Sequence, residues 1–524
     1  MLKKKWLTKI LAICMSLITV ASATACNPDN GSSGPKPTAD NLAIEVYGGG
    51  YGTDWVYSIA REYTKKTGME VAITVQVGAQ GISNMITSFA SGMAETDIYF
   101  TEGSIFGTVY EGKKKWNGIE YDTAFADITD VYNTQIDGDM LYKDKMNDSY
   151  EELYNIDGKY YCTSWAAGLM GIIVNMDVWT QAGFTSFPRT TDEMFEYAEV
   201  LKGKGIAPFI YALGDEYWTS IAPLFMAQYE GSEGIKKVYA GYDSDGNRYT
   251  SKLAGFKGYR ETLRLYDEIL KVENQYTHAA SQDVDFTNMQ GMFLLGMAAM
   301  CPNGDWIEKE MSANYRNANI EFMKTPIISA LSDKLSFKDA SDADLKLREL
   351  VDYVDANASG YEGKPSFATN DDVDIVRDSR SLEMSASSQV IGYIPAYSNQ
   401  IQAAKDFLIY MASDEAMAIY RSATGGCDLP FKWTNQPPQS NYSSFRNSII
   451  DIVGKSNILL STVKEKFYTI NALDGYFMNN SYGKYVRCFA ALESTDYVSP
   501  DAYYLAEQKF FQQNIDSFKK TAKV

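Results

Sequence analysis

The sequence predicts an α/β protein built as two lobes, and three observations point there. At 524 residues the chain exceeds what one hydrophobic core supports, since single cores stop growing near roughly 250–300 residues. Hydrophobic residues make up 45% and charged residues 22%. That is ordinary globular composition, and it excludes both dominant disorder and a multi-span membrane protein. The body then opens on strand, helix, strand, helix and strand in turn, the pattern of right-handed crossovers and a mainly parallel sheet.

Each element has its own signature. Leu42–Tyr47 reads as a strand that breaks into Gly48-Gly49-Gly50-Tyr51-Gly52. A helix over 54–66 places Trp55, Ile59 and Tyr63 at steps of four, and Gly68 is its stop signal. Residues 70–77, rich in Val, Ile and Thr, form the second strand. A helix over 81–91 and a short strand over 97–100 follow. Asp157-Gly158 turns an expected hairpin over 153–162. Met170–Asn175 is a strand, 176–183 a helix, and Thr191-Asp192-Glu193 starts a long amphipathic helix over 194–202. The middle third is largely helical. Asp243-Ser244-Asp245-Gly246-Asn247 carries its glycine at the fourth position rather than the sixth of a calcium loop, with no Glu at the twelfth, so a plain turn is expected. Residues 401–420 read as one amphipathic helix ending at Thr424-Gly425-Gly426. Two serial α/β arrangements with helices added at the C-terminus fit the length.

Charge and composition remove other functions. There are 67 Asp and Glu against 48 Lys and Arg, a net charge of −19. A nucleic-acid partner needs a basic face, and beyond the cationic amino terminus the short run Lys113-Lys114-Lys115 reads as a solvated turn. His278 is the single histidine, so a histidine-rich metal site is impossible and a Ser/His/Asp triad would have to use it. It has no partner motif nearby, and no cofactor is expected. The loop 48–52 lacks the G-x-G-x-x-G spacing and the Lys-Ser/Thr ending of phosphate cradles. Its glycines still let backbone amides approach a ligand at the carboxyl end of a strand, where open α/β sheets bind.

The amino terminus is cationic (Lys3, Lys4, Lys5, Lys9), followed by an apolar run over 10–20 and then Ala21-Ser22-Ala23-Thr24-Ala25-Cys26. This describes a secretory signal over 1–25. The run is shorter than the ~20 residues a bilayer crossing needs, and a permanent transmembrane anchor is the alternative. Ala23-Thr24-Ala25-Cys26 resembles a bacterial lipobox, which makes Cys26 the lipidated first residue of the mature chain. Residues 26–40, rich in Gly, Ser and Pro, act as a flexible tether. Removing the signal leaves 67 acids against 44 bases, or −23. Cys162, Cys301, Cys427 and Cys488 are widely spaced and show no metal pattern. Buried free thiols are the default, with a Cys427–Cys488 bridge as the open alternative.

Seven stretches, in order over roughly residues 41–426, resemble the extracellular solute-binding proteins of ABC importers, specifically the carbohydrate-binding family. They are 46–52, 96–102, 125–130, 157–161 with 171–177, 187–198, Phe293 to Met300 with Asn303-Gly304-Asp305-Trp306, and 403–408 with 413–416. Met297 replaces the family's lysine, and Cys162-Thr163 stands where a proline follows the tyrosine. The last hundred residues match no pattern. The resemblance implies a periplasmic-binding-protein-like fold with discontinuous lobes: 41–165 plus 307–424, and 166–306 plus 425–524. Hinge crossings are expected near 164–171, Trp306 and 424–430.

The same resemblance implies a membrane-anchored receptor at the cell surface, on the outer face of the bacterial cytoplasmic membrane. It would be a monomer and not an enzyme. It would close on a carbohydrate, an oligosaccharide, and deliver it to membrane permease subunits. Sugars stack their C–H faces on aromatics and present hydroxyls to polar groups. The expected ligand-binding residues are therefore Tyr51, Trp55, Glu102, Trp165, Glu216, Tyr217, Trp218, Asn303, Asp305 and Trp306. The same fold binding a peptide or other polar solute is one alternative. A secreted glycoside hydrolase, which needs two carboxylates about 5–10 Å apart, is another.

Overall fold

A computed structural model describes residues 40–92, 95–102, 113–214, 217–385, 390–436, 442–460 and 482–522. The signal, Cys26, all of the tether but Asp40, and Glu216 lie outside the described residues.

The strands of the two large sheets run in chain order as β1 (Leu42–Tyr47), β2 (Val71–Gln76), β3 (Ile98–Glu102), β4 (Thr163–Ser164), β5 (Met170–Asn175), β6 (Ala207–Phe209), β7 (Ala298–Gly304), β8 (Ile320–Met323), β9 (Leu382–Ser385), β10 (Val390–Tyr393) and β11 (Asn457–Leu460). The first sheet has the order β2-β1-β3-β10-β4. Its β1 pairs parallel with β2 and β3, while β10 runs antiparallel between β3 and β4. The second has the order β6-β7-β5-β9-β11, with β8 also paired to β5. There β6–β7 and β9–β11 are parallel, and β5 is antiparallel to β7, β8 and β9.

Each sheet has its own core. Val46, Trp55, Ile59, Phe100, Tyr393 and Phe407 belong to the cluster around the first. Ile172, Val174, Trp218, Leu263, Met300 and Met384 belong to the cluster around the second, and a satellite with Ile173, Phe293, Ile307 and Phe445 packs with it. These are the two lobes.

The lobe boundaries differ from expectation. The chain does not return to the first lobe after Trp306. It continues into α-helices and β8 of the second lobe, because β8 adds to the free edge of β5, with Ile320 opposite Asn175 and Met323 opposite Ile172. Residues 307–385 therefore pack with the second core, and the return lies between Ser385 and Val390. The other crossings lie at 165–169, where Ala167 N–H donates to the Asp428 carbonyl at 2.9 Å, and between Phe431 of the first core and Phe445 of the satellite.

Local signals act as the sequence reads. Helix α1 (Asp54–Thr67) buries Trp55, Ile59 and Tyr63 and ends on Gly68 at φ 76°. Helix α2 (Gly78–Ser91) starts three residues early. The expected single helix over 401–420 is two, Ile401–Met411 and Asp414–Ala423, because the Ser413 hydroxyl accepts the Ala416 N–H at 3.2 Å and starts a new helix. The expected hairpin over 153–162 is present only as one antiparallel bridge, Ile156 with Lys159, around the turn at Asp157 (φ 51°) and Gly158 (φ 84°), because its first residues belong to a helix, Asp148–Tyr154. Asp243 closes its own turn by accepting the N–H groups of Asp245 and Asn247. No group of side chains suited to a metal occurs among the described residues. Cys427 and Cys488 are both free and lie in different cores, so they do not pair.

Candidate functional site

The two lobes meet where the loop after β1 touches the turn after β7. The glycines explain how closely. A Cβ on Gly50 would lie 2.6 Å from Trp306 Cδ1, and one on Gly304 would lie 2.1 Å from Trp306 Cη2. The indole thus occupies a slot between one glycine of each lobe. Trp306 is half-buried and packs against both cores.

Tyr51 sits edge-on to Trp306 at 6.0 Å and to Trp165 at 6.1 Å. Trp165 stacks on Trp55 at 5.2 Å and an interplanar angle of 15°, and its Nε1–H donates to the Thr101 carbonyl at 3.0 Å. Four aromatic rings therefore run from the first core to the seam. Edge-to-face and offset pairs of this kind add about 0.5–1.5 kcal/mol each beyond burial.

A polar chain runs beside them. The Tyr51 hydroxyl donates to Asp305 Oδ1 at 3.2 Å. Asp305 Oδ2 pairs with Arg446 Nη1 at 3.0 Å, both side chains being buried. Arg446 Nη2 also donates to the Asp305 carbonyl at 3.0 Å and to Cys427 Sγ at 3.1 Å. Burial pushes the Asp305 carboxyl up, and Arg446 and Tyr51 oppose the shift. Burial drives the Cys427 thiol to about 12, so it stays protonated. An exposed ion pair, Lys309 to Asp54 at 3.0 Å, spans the lobes nearby.

Two further carboxylates belong to the elements that meet at the seam. Glu102 ends β3 and is exposed, with its carboxylate over Gly49 beside the Tyr47 ring. Glu310 belongs to α3 (Ile307–Glu310) of the second lobe and accepts from Gln290 Nε2 at 2.8 Å. Surrounding protein raises the pKa of both, and the Glu310 charge raises Glu102 further. Tyr47 is raised by desolvation and then by the same two carboxylates.

The expected ligand-binding residues separate accordingly. Tyr51, Glu102, Asp305 and Trp306 come together at the seam. Trp55 and Trp165 stand behind Tyr51 as fully buried core. Asn303 is buried on β7, where its Oδ1 accepts the Gly304 N–H at 2.8 Å. Trp218 is buried in the second core against Phe209 and Tyr266, and half-buried Tyr217 packs there too. Tyr47, Gln290, Glu310 and Arg446 were not expected. Tyr47 and Glu310 had a signal, since one precedes the glycine loop and the other follows Trp306 by one helical turn. Arg446 had none, lying 141 residues from its partner.

Residues 49–418 match the family described as bacterial extracellular solute-binding protein. The diacetylchitobiose binding protein DasA of Streptomyces coelicolor is 26% identical over 290 residues, which are 53% of this chain and 60% of that protein; the chain therefore spans about three fifths of the relative it matches. A chitin oligosaccharide binding protein superposes with a TM-score of 0.59 at 13% identity, covering 91% of this chain and 100% of the other. Maltose-bound MalE3 of T. maritima does so at 0.57 and 12%, covering 90% and 99%. These two structures establish the two-lobed fold.

Proposed function

The chain belongs to the bacterial extracellular solute-binding proteins, and from that premise we propose that it is the receptor of an ABC importer. It captures a carbohydrate, an oligosaccharide, between its lobes and passes it to permease subunits in the membrane. The observation that carries this reading is Trp306, an indole held in a slot between Gly50 of one lobe and Gly304 of the other. Part of its surface remains for stacking against a pyranose face, and Tyr51 and Glu102 stand beside it. The relative named for diacetylchitobiose and the neighbours named for chitin oligosaccharide and maltose support a sugar as ligand.

Proteins of this family are binding proteins rather than enzymes. Here the work is mechanical: the three crossings let the lobes rotate as rigid bodies, and a ligand touching both lobes shifts the population toward closure. Lipidation of Cys26, with 26–40 as a leash, would hold the receptor on the outer face of the membrane. No helix among the described residues is long and apolar enough to cross a bilayer.

Thermal denaturation of the purified chain with mono- and oligosaccharides, and with short peptides as controls, tests the reading. A ligand bound only by the native state stabilises it by about 2.7 kcal/mol at a hundredfold excess over Kd. A shift with one saccharide class, and no turnover of that sugar, is the expected result. A shift with peptides alone overturns the carbohydrate assignment and leaves the family membership in place.

A further inference from the structure

Arg446 lies beyond residues 49–418, the stretch that matches the family, yet its side chain is buried where the lobes meet. It rises from the helix over Ser444–Val453, whose Phe445, Ile449 and Ile452 belong to the second lobe. A glycine makes room for its stem, since a Cβ on Gly426 would lie 2.6 Å from Arg446 Cγ. The guanidinium then holds both lobes at once. Nη1 donates to Asp305 Oδ2 and Nη2 to the Asp305 carbonyl, each at 3.0 Å. Nη2 also donates to Cys427 Sγ of the first core at 3.1 Å. Cys427 and Arg446 stand on either side of the third crossing, so this contact closes the crossing into a loop. The three bonds are not alike. The two to oxygen are charge-assisted and strong, and the planar fork fixes their direction. The third goes to sulfur, a weak acceptor. Nε is buried and meets no acceptor among the described residues, so the fork has a donor to spare for a second arrangement. A change in the angle between the lobes therefore breaks the sulfur contact or turns the fork, and a turned fork carries Asp305 with it. Asp305 precedes Trp306 and receives the Tyr51 hydroxyl on its other oxygen at 3.2 Å.

We propose that Arg446 is a positioning residue for ligand capture: acting through Asp305, it sets the turn that carries Trp306 according to the angle between the lobes, and Cys427 is its contact with the first lobe. This rests on Trp306 as the stacking surface and adds the part that couples that surface to closure.

Small-angle scattering and fluorine NMR of the ligand-free chain, labelled with fluorotryptophan and with the Trp306 signal assigned by Trp306→Phe, test this. Cys427→Ala removes only the arm to the first lobe. It is expected to enlarge the radius of gyration and to shift the Trp306 signal. Cys427→Ser, whose hydroxyl accepts from the same donor, should return both to wild type. In Arg446→Met with Asp305→Asn no arm is left, and there Cys427→Ala should change neither. Unchanged scattering with an unshifted signal in Cys427→Ala overturns the proposal. So does a shift that Cys427→Ser leaves in place, or one that persists in the doubly substituted background, since a cavity in the first core then accounts for it. Adding diacetylchitobiose, raffinose and maltose in turn separates the proposal from the reading it rests on. Binding of one of them without movement of the Trp306 signal overturns the proposal and keeps the receptor. Binding of none, with the ligand-free series as expected, overturns these sugars as ligands and leaves the role of Arg446 standing.

Discussion

Trp306 fits because two positions beside it lack a Cβ, so the smallest possible change at one of them is informative. Gly50→Ala places a methyl 2.6 Å from the indole. The overpacking, about 1–3 kcal/mol, falls on the contact between lobes rather than on either core. Ligand affinity is expected to drop roughly tenfold or more while the ligand-free melting temperature barely moves, and calorimetry of binding and of unfolding reads the two effects apart. A second residue, Glu383 on β9, bears on stability. It is fully buried, accepts from Thr325 N–H at 3.1 Å and from the Thr325 hydroxyl at 3.0 Å, and faces Arg380 and Lys324. Burial raises its pKa to about 7, above the usual carboxylate value. Its folded form therefore prefers the proton, and its contribution to stability is complete below about pH 4 and lost as pH rises through about 7. A shift of this size corresponds to about 3 kcal/mol. Glu383→Gln should flatten the fall in urea-unfolding free energy between about pH 5 and 8.

At the scale of elements, helix α4 (Ser444–Val453) is the part whose importance the sequence hid. It packs on the second lobe through Phe445, Ile449 and Ile452, and from there Arg446 reaches the end of β7 and Cys427 of the first core. Removing one partner of a buried ion pair costs about 3–5 kcal/mol, more than the pair itself contributes. Arg446→Met is expected to destabilise by that order, and Arg446→Met with Asp305→Asn to recover much of it, as a double-mutant cycle in denaturant would show. Elements held by local chemistry were legible: β5 has the bounds its apolar run gives, and α1 ends on its glycine. The seam was legible in Tyr51, Glu102, Asp305 and Trp306, which end a strand or flank a glycine. Trp218 misled because an aromatic after an expected loop looks the same whether it turns outward or into a core. Arg446 was invisible because nothing in a single sequence marks a pair formed across 141 positions.

For the whole molecule, the contacts between lobes decide how far it opens. Tyr51 to Asp305 and Lys309 to Asp54 both span the seam, the first a buried hydrogen bond and the second an exposed ion pair contributing about 0–1 kcal/mol. Tyr51→Phe with Asp54→Asn should enlarge the radius of gyration measured by small-angle scattering without ligand. Saturating ligand should return it to the wild-type value. The threading of the chain adds a consequence for its birth. In the first sheet β10 lies between β3 and β4, so a segment at 390–393 completes a layer begun at residue 42. The second sheet waits for 457–460. A nascent chain emerging from its amino end can finish neither lobe until most of its length is out, and pairings so distant in sequence form slowly. A fragment ending at residue 385 should accordingly be cleaved by protease throughout residues 40–164. The order of strands thus keeps the newborn polypeptide loose and threadable through a narrow channel until its last third arrives.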